Sequence, residues 1–227
     1  MDTIFRGDLA TPRGRALAWA DSLLVDHGLL RLAWTNAATV VPGRLYRCNY
    51  PDPRRLSALT RRLGLRTLVN LRGATGNGSD ALARQRAAAL GLAFLDAPLR
   101  SRRAPTREAI LHLAGIYAGM AEPALVFCKS GADRAGFAAG LYLLLQGEGS
   151  AAALGQLSLR HGHLARSPAG ILRAVFLRYA RDAEGRLPFL DWVRREYDPE
   201  ALARDFASGG VAGGLARAVN DRLLRRE

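Results

Sequence analysis

The chain has 227 residues, 49% of them hydrophobic and 23% charged, which excludes disordered and fibrous classes and suffices for a core of ordinary size. It carries 33 Lys+Arg against 20 Asp+Glu, a formal charge of +13, and every basic residue but Lys129 is arginine. Arginines interrupt each apolar stretch, so no transmembrane helix is expected. The start, MDTIFRGDLATPRGR, lacks the apolar run of a secretory signal, and two cysteines, Cys48 and Cys128, suit a reducing cytoplasm better than a disulfide framework.

Residues 13–33 read as a helix, with Leu17, Leu23, Leu24 and Leu30 among its apolar positions. A short strand is expected over Val41–Cys48, after Pro42–Gly43 near its start. A helix follows Pro51–Pro53 and ends at Gly64, a suitable left-handed stop. Thr67–Leu71 (TLVNL) reads as a buried strand, Gly73–Ser79 as a loop, Asp80–Leu90 as a helix and Leu92–Leu95 as a strand. A basic loop over Arg100–Pro105 precedes a helix at 106–120. Ala124–Phe127 is a fourth strand and Ala135–Gln146 an apolar helix. From Ala151 the pattern is helical only, with segments at 151–160, 169–181, 187–196 and 199–207. Alternating strands and helices indicate an α/β domain with a largely parallel sheet flanked by helices. The expected organisation is an N-terminal helical extension over 1–40, an α/β core over 41–150 and a helical part over 151–227 packed on that core.

Chemistry concentrates in Ala124–Gly136, ALVFCKSGADRAG. A buried strand ends at Cys128, a short loop with one glycine follows, and an apolar helix begins near Arg134. Backbone N–H groups of such a loop, backed by a helix N-terminus, converge on an anion. The same field stabilises a thiolate at Cys128 and makes it a nucleophile. Arg134, six positions on, can fold back and bind two phosphoryl oxygens bidentately. The expected phosphate cradle is Lys129, Ser130, Gly131, Ala132, Asp133 and Arg134.

The segment Cys128-Lys129-Ser130-Gly131-Ala132-Asp133-Arg134 resembles the signature loop of the cysteine-dependent protein-tyrosine and dual-specificity phosphatases: cysteine, five residues, arginine, with a glycine three after the cysteine. Two further stretches, Leu45–Pro51 (LYRCNYP) and Thr67–Arg72 (TLVNLR), are similar to segments of the bacterial and fungal atypical dual-specificity phosphatases, in the same order. The resemblance covers about residues 41–150. It implies a cysteine-phosphatase-like fold and hydrolysis of phosphomonoesters, of protein tyrosine or dual-specificity type, through a phosphocysteine at Cys128. No metal or other cofactor is implied. A phosphorylated protein or a small phosphorylated molecule would be the substrate. The resemblance also implies a bacterial origin.

Two positions depart from the family. Phe127 stands where a histidine usually precedes the cysteine, and Ala135 where a hydroxyl residue follows the arginine and assists departure of the thiolate. Both favour a weak or specialised enzyme, or a phosphate-binding module without catalysis. The general acid is open between Asp96, thirty-two residues before Cys128 at the end of a strand, and Asp133 within the loop; the loop 99–105 holds no carboxylate, and Asp133 is favoured. The lone lysine, Lys129, matches a position used by phosphoinositide and inositol-phosphate phosphatases of the superfamily, which keeps a polyphosphorylated substrate as an alternative.

The charge has two further readings. A solvated arginine surface is the simplest; an acidic membrane face is a second class of anionic partner. Nucleic acid is disfavoured, since no basic run alternates with aromatics to form a stacking platform. His161 and His163 have metal-pair spacing but no companion cysteine or carboxylate cluster in the sequence, so a surface or helix-end role is expected. Cys48 is expected to be buried and inert.

Overall fold

A computed structural model describes residues 3–26, 28 and 34–209. The chain divides into two compact units: Met1–Pro98 with Met120–Gly131, and Leu99–Gly119 with Ala132–Glu227.

The first unit is built on a five-stranded sheet of order β1-β2-β5-β3-β4. Its strands are β1 (Ala38–Val41), β2 (Leu45–Asn49), β3 (Thr67–Asn70), β4 (Ala93–Asp96) and β5 (Ala124–Cys128). β5 lies between β2 and β3 and is parallel to both, and β3 is parallel to β4. The short strand expected within Val41–Cys48, after Pro42–Gly43, is β2, and a strand that was not expected, β1, pairs with it as a hairpin. Gly43 adopts a left-handed conformation (φ 71°), Arg44 N–H closes the turn on the Val41 carbonyl, and β1 runs antiparallel to β2. The sheet is therefore mixed, with four parallel strands and one antiparallel edge strand. β5 is buried along its whole length, as a continuous apolar run in a central strand should be.

Two helices, α2 (Pro53–Leu63) and α3 (Gly78–Ala89), complete the βαβ units of this sheet. Asp52 caps α2 by accepting from Arg54 N–H and Arg55 N–H, Pro53 occupies its first turn, and Gly64 ends it at φ 63°. Leu56 and Leu59 of α2 and Ala83 and Ala87 of α3 pack on Cys48, Leu68, Leu125 and Phe127 of the sheet. Ahead of the sheet, α1 (Pro12–Ala20) passes into a π-helical turn at Asp21–Val25. The remainder of the helix expected over 13–33 falls at positions 27 and 29–33, outside the described residues, apart from Asp26 and Gly28.

The second unit is helical: α4 (Arg107–Gly119), α5 (Asp133–Leu145), α6 (Ser150–Gly155), a 3₁₀ turn at Leu159–His161, α7 (Gly170–Asp182), α8 (Phe189–Arg195) and α9 (Pro199–Ala207). α5 is its axis. Phe137 stacks on Phe176 of α7 at 5.0 Å, and Tyr117 of α4 donates to the Ala138 carbonyl. Gly140 lets α6 and α7 approach, since a Cβ there would lie 2.6 Å from the Phe176 ring and 2.9 Å from the Ala153 carbonyl oxygen. Trp192 is buried beside Phe189, Tyr179 and Tyr197. The glycine-rich tail beyond Gly209 lies outside the described residues. Among the described residues no helix is long and apolar enough to cross a membrane.

Candidate active site

The cysteine sits at the carboxyl end of the central strand, the edge of a parallel sheet where ligands bind. Cys128 is buried, and its register partner on β2 is Asn49. The three residues after it turn sharply, and their carbonyls are held from behind. Lys129 O accepts from Tyr50 N–H at 3.5 Å, Ser130 O from Asn36 Nδ2 at 3.1 Å, and Gly131 O from Arg47 Nη2 at 2.7 Å. In a trans peptide the carbonyl of one residue and the N–H of the next point in opposite directions. Pinning these carbonyls back therefore aims the N–H groups of Ser130, Gly131 and Ala132 at the other side of the turn. That is the side an anion would occupy, and successive N–H groups make a concave anion nest.

Gly131 is the residue this turn cannot exchange. Its φ is +73°, and a Cβ would lie 2.6 Å from Asn49 N, 2.7 Å from Cys48 C and 2.9 Å from Cys48 O. The loop is laid directly on the β2 backbone, and only a residue without a side chain fits.

α5 begins at once, with Asp133 in its first turn and no side chain capping it. Its N-terminal N–H groups add a partial positive charge at the turn. The Nε of Arg134 is buried without a hydrogen-bond partner among the described residues, as befits a guanidinium arranged for a ligand. Fully buried Arg47 adds positive charge beneath the turn.

Lys129 has a partner. Its Nζ is 3.6 Å from Asp26 Oδ1, and the same buried carboxylate takes a bidentate pair from Arg72, at 2.7 and 2.9 Å. Arg72 in turn lies over the Tyr50 ring at 5.1 Å. One carboxylate thus faces two cations, and part of the charge of the lone lysine is spent on it.

The two candidate acids are held differently. Asp96 receives both oxygens' worth of bonds from Arg84 Nη2, at 2.9 and 2.8 Å, and a third from Asn70 Nδ2 at 2.9 Å. These bonds tie it between β3, β4 and α3. Asp133 accepts one contact, from the ring of His163, with Nδ1 to Oδ1 at 2.8 Å. Of the surface and helix-end roles expected for the two histidines, the surface one does not hold: the His163 side chain is wholly buried, and His161, which ends the 3₁₀ turn, is buried as well. No group of three or more metal-ligating side chains occurs among the described residues.

The Phe127 side chain faces the α2–α3 side of the sheet, where it meets Tyr50 edge-on at 4.9 Å and Phe94 at 5.9 Å. An imidazole there would be set among apolar rings. Cys48 shares that face, being the register partner of Phe127, while Cys128 follows on the opposite pleat. Burial pushes the Cys48 thiol up to about 12, opposed by Arg55. It donates to the Asn49 carbonyl and is buried, as expected.

Several functional side chains were not visible in the sequence. Asn36, Arg47 and His163 act on the loop from 84 to 94 residues away, or 30 in the case of His163. Only Arg47 carried a signal, as a charge inside a strand whose neighbours read as buried.

No protein-family model matches the chain, and no curated protein does. Among solved structures it is similar to the core catalytic domain of the PP-IP phosphatase SIW14 from S. cerevisiae, at 17% identity over 78% of this chain and 94% of that one, with a TM-score of 0.49. It is also similar to TpbA of P. aeruginosa, at 22% identity over 76% and 91% of the two chains, with a TM-score of 0.46. What the chain itself presents is a largely parallel α/β sheet whose central strand delivers a cysteine into a seven-residue loop that ends in an arginine.

Proposed function

We propose that the chain hydrolyses phosphomonoesters through a phosphocysteine at Cys128. The observation that carries this reading is the backward pinning of the Lys129, Ser130 and Gly131 carbonyls, which turns three successive amides toward one point beside the cysteine. The Cys-x₅-Arg spacing supplies the nucleophile and the clamp at the two ends of that turn.

In the first step the Cys128 thiolate attacks phosphorus and the P–O ester bond breaks, while Asp133 gives its proton to the departing oxygen. The amides of Ser130, Gly131 and Ala132 and the fork of Arg134 bind the equatorial oxygens throughout. In the second step water attacks phosphorus, Asp133 takes its proton, and the P–S bond breaks to release inorganic phosphate and the thiolate. Ala135 offers no hydroxyl to assist that departure, so breakdown of the phosphoenzyme is the slow step.

The test is phosphate release from p-nitrophenyl phosphate. Cys128→Ser should abolish turnover yet retain vanadate binding, and Arg134→Lys should fall severely because a point charge cannot replace a bidentate fork. Turnover surviving in Cys128→Ser would end the phosphocysteine mechanism. Vanadate binding by a parent that hydrolyses no phosphotyrosine peptide, phosphoinositide or inositol phosphate would make the loop a binding module.

A further inference from the structure

The segment after α6 reaches α5 at one polar point. His163 Nδ1 lies 2.8 Å from Asp133 Oδ1, across thirty residues of sequence. The imidazole is completely buried, and its Nε2 has no hydrogen-bond partner among the described residues. A buried ring nitrogen without a partner is costly, so its presence calls for an explanation. The ring is held by its own backbone as well: His161 N–H and His163 N–H both bond to the Ser158 carbonyl, and Gly162 between them is left-handed at φ 73°.

From this geometry we infer that His163 is the positioning residue of the general acid. The inference rests on the phosphatase reading above. A neutral imidazole has one ring proton, and it resides where an acceptor exists, on Nδ1. A second proton on Nε2 would be a buried donor with nothing to receive it. His163 therefore donates to Oδ1 and leaves Oδ2 as the oxygen that carries the transferable proton. Two consequences follow. The carboxyl group is held by one oxygen, so the proton to be transferred is assigned to the other. The Nδ1–H bond also strengthens as the proton departs, because the acceptor changes from a neutral acid to a carboxylate. An interaction that is stronger in the transition state than in the ground state accelerates the step. The bonds balance as before: the proton passes from Asp133 Oδ2 to the ester oxygen, and His163 keeps its own.

The experiment compares phenyl phosphate, whose leaving oxygen needs protonation, with 2,4-dinitrophenyl phosphate, whose leaving oxygen does not. His163→Ala should lower kcat/KM for phenyl phosphate by roughly 10–100-fold, the range for a hydrogen bond to a charged group, and change the dinitrophenyl ester by less than about 3-fold. His163→Asn, whose amide can place a donor near the position of Nδ1, should recover most of the loss. In an Asp133→Asn background, His163→Ala should add nothing. Equal slowing of both esters, with Asn no better than Ala, would reduce His163 to a packing residue and overturn the inference, as would full activity of His163→Ala on phenyl phosphate. Should the variants fail to fold, nitrogen-15 NMR of the intact protein decides: the inference requires a proton on Nδ1 and none on Nε2 of His163, and the reverse tautomer overturns it. Failure of the phosphatase reading is distinct, since it appears as turnover surviving in Cys128→Ser.

Discussion

Replacing Gly131 by alanine tests the loop most directly, and Gly64→Ala supplies the control. Both glycines are left-handed, at φ +73° and +63°, so each substitution carries the conformational penalty of a side chain in that region, roughly 1–2 kcal/mol. Gly64 has nothing within 4 Å of its would-be Cβ, and the penalty ends there. At Gly131 the added carbon would meet three backbone atoms at 2.6 to 2.9 Å, and backbone cannot rotate aside. Overpacking of this kind adds about 1–3 kcal/mol, which brings the expected total to about 2–5 kcal/mol. That is a large part of the ~5–15 kcal/mol that holds a domain together. The loop can escape only by lifting off β2, which would loosen the Arg47 and Asn36 bonds and spread the amides. A displacement near 1 Å costs on the order of 10²-fold in rate. Urea denaturation and p-nitrophenyl phosphate hydrolysis, run on both variants, give the comparison. Gly64→Ala should lose about 1–2 kcal/mol and keep its activity. Equal losses of stability in the two variants, or an active Gly131→Ala, would refute the close seating of the loop on β2.

Asp26→Ala should be destabilising by about 3–5 kcal/mol, because Arg72, only 7% exposed, would be left as a buried cation without its bidentate partner. The double variant with Arg72→Met should recover much of that in urea denaturation, whereas a single-variant loss under about 1 kcal/mol would mean the pair is solvent-screened. Asp96→Asn should slow phenyl and dinitrophenyl phosphates little and alike, with a stability loss of at most about 1 kcal/mol, since the Arg84–Asp96 pair is about one-third exposed. A loss confined to phenyl phosphate would transfer the acid role to Asp96. Cys48 gives a prediction in alkali. Its thiol titrates at an ordinary value of 9.0 when unfolded and is pushed up to about 12 by burial, so between those values the unfolded chain binds fewer protons than the folded one. Stability should therefore fall with rising pH from about 9, by up to ~1.4 kcal/mol per pH unit, and Cys48→Ala should flatten that slope in denaturation curves. Iodoacetamide at pH 8 should spare Cys48 in the folded protein; its rapid labelling would contradict its burial.

The local signals were read correctly where they were strong and short-range. Gly64 and Pro53 bound α2, Asp198 and Pro199 open α9, and the apolar run of 124–128 is the buried central strand, because caps, fixed φ values and hydrophobic runs act within a few residues. The cysteine, glycine and arginine of the loop were equally visible, since their spacing is itself the chemistry. What only the tertiary structure decided was where distant side chains go. The strand expected within Val41–Cys48 gained a partner, β1, because a left-handed Gly43 turns the chain and β2 offers an open edge to it. Asp96 looked like an acid by its distance from Cys128, yet three bonds from Arg84 and Asn70 make it a brace. His163 looked like a surface residue, yet it is buried against Asp133. Asn36 gave no hint that it holds a carbonyl of the loop, and Arg47 only its charge inside a buried strand. Hydrogen bonds and ion pairs depend on ångström-scale direction between groups 12 to 94 residues apart, and periodicity along a chain carries no information about that direction.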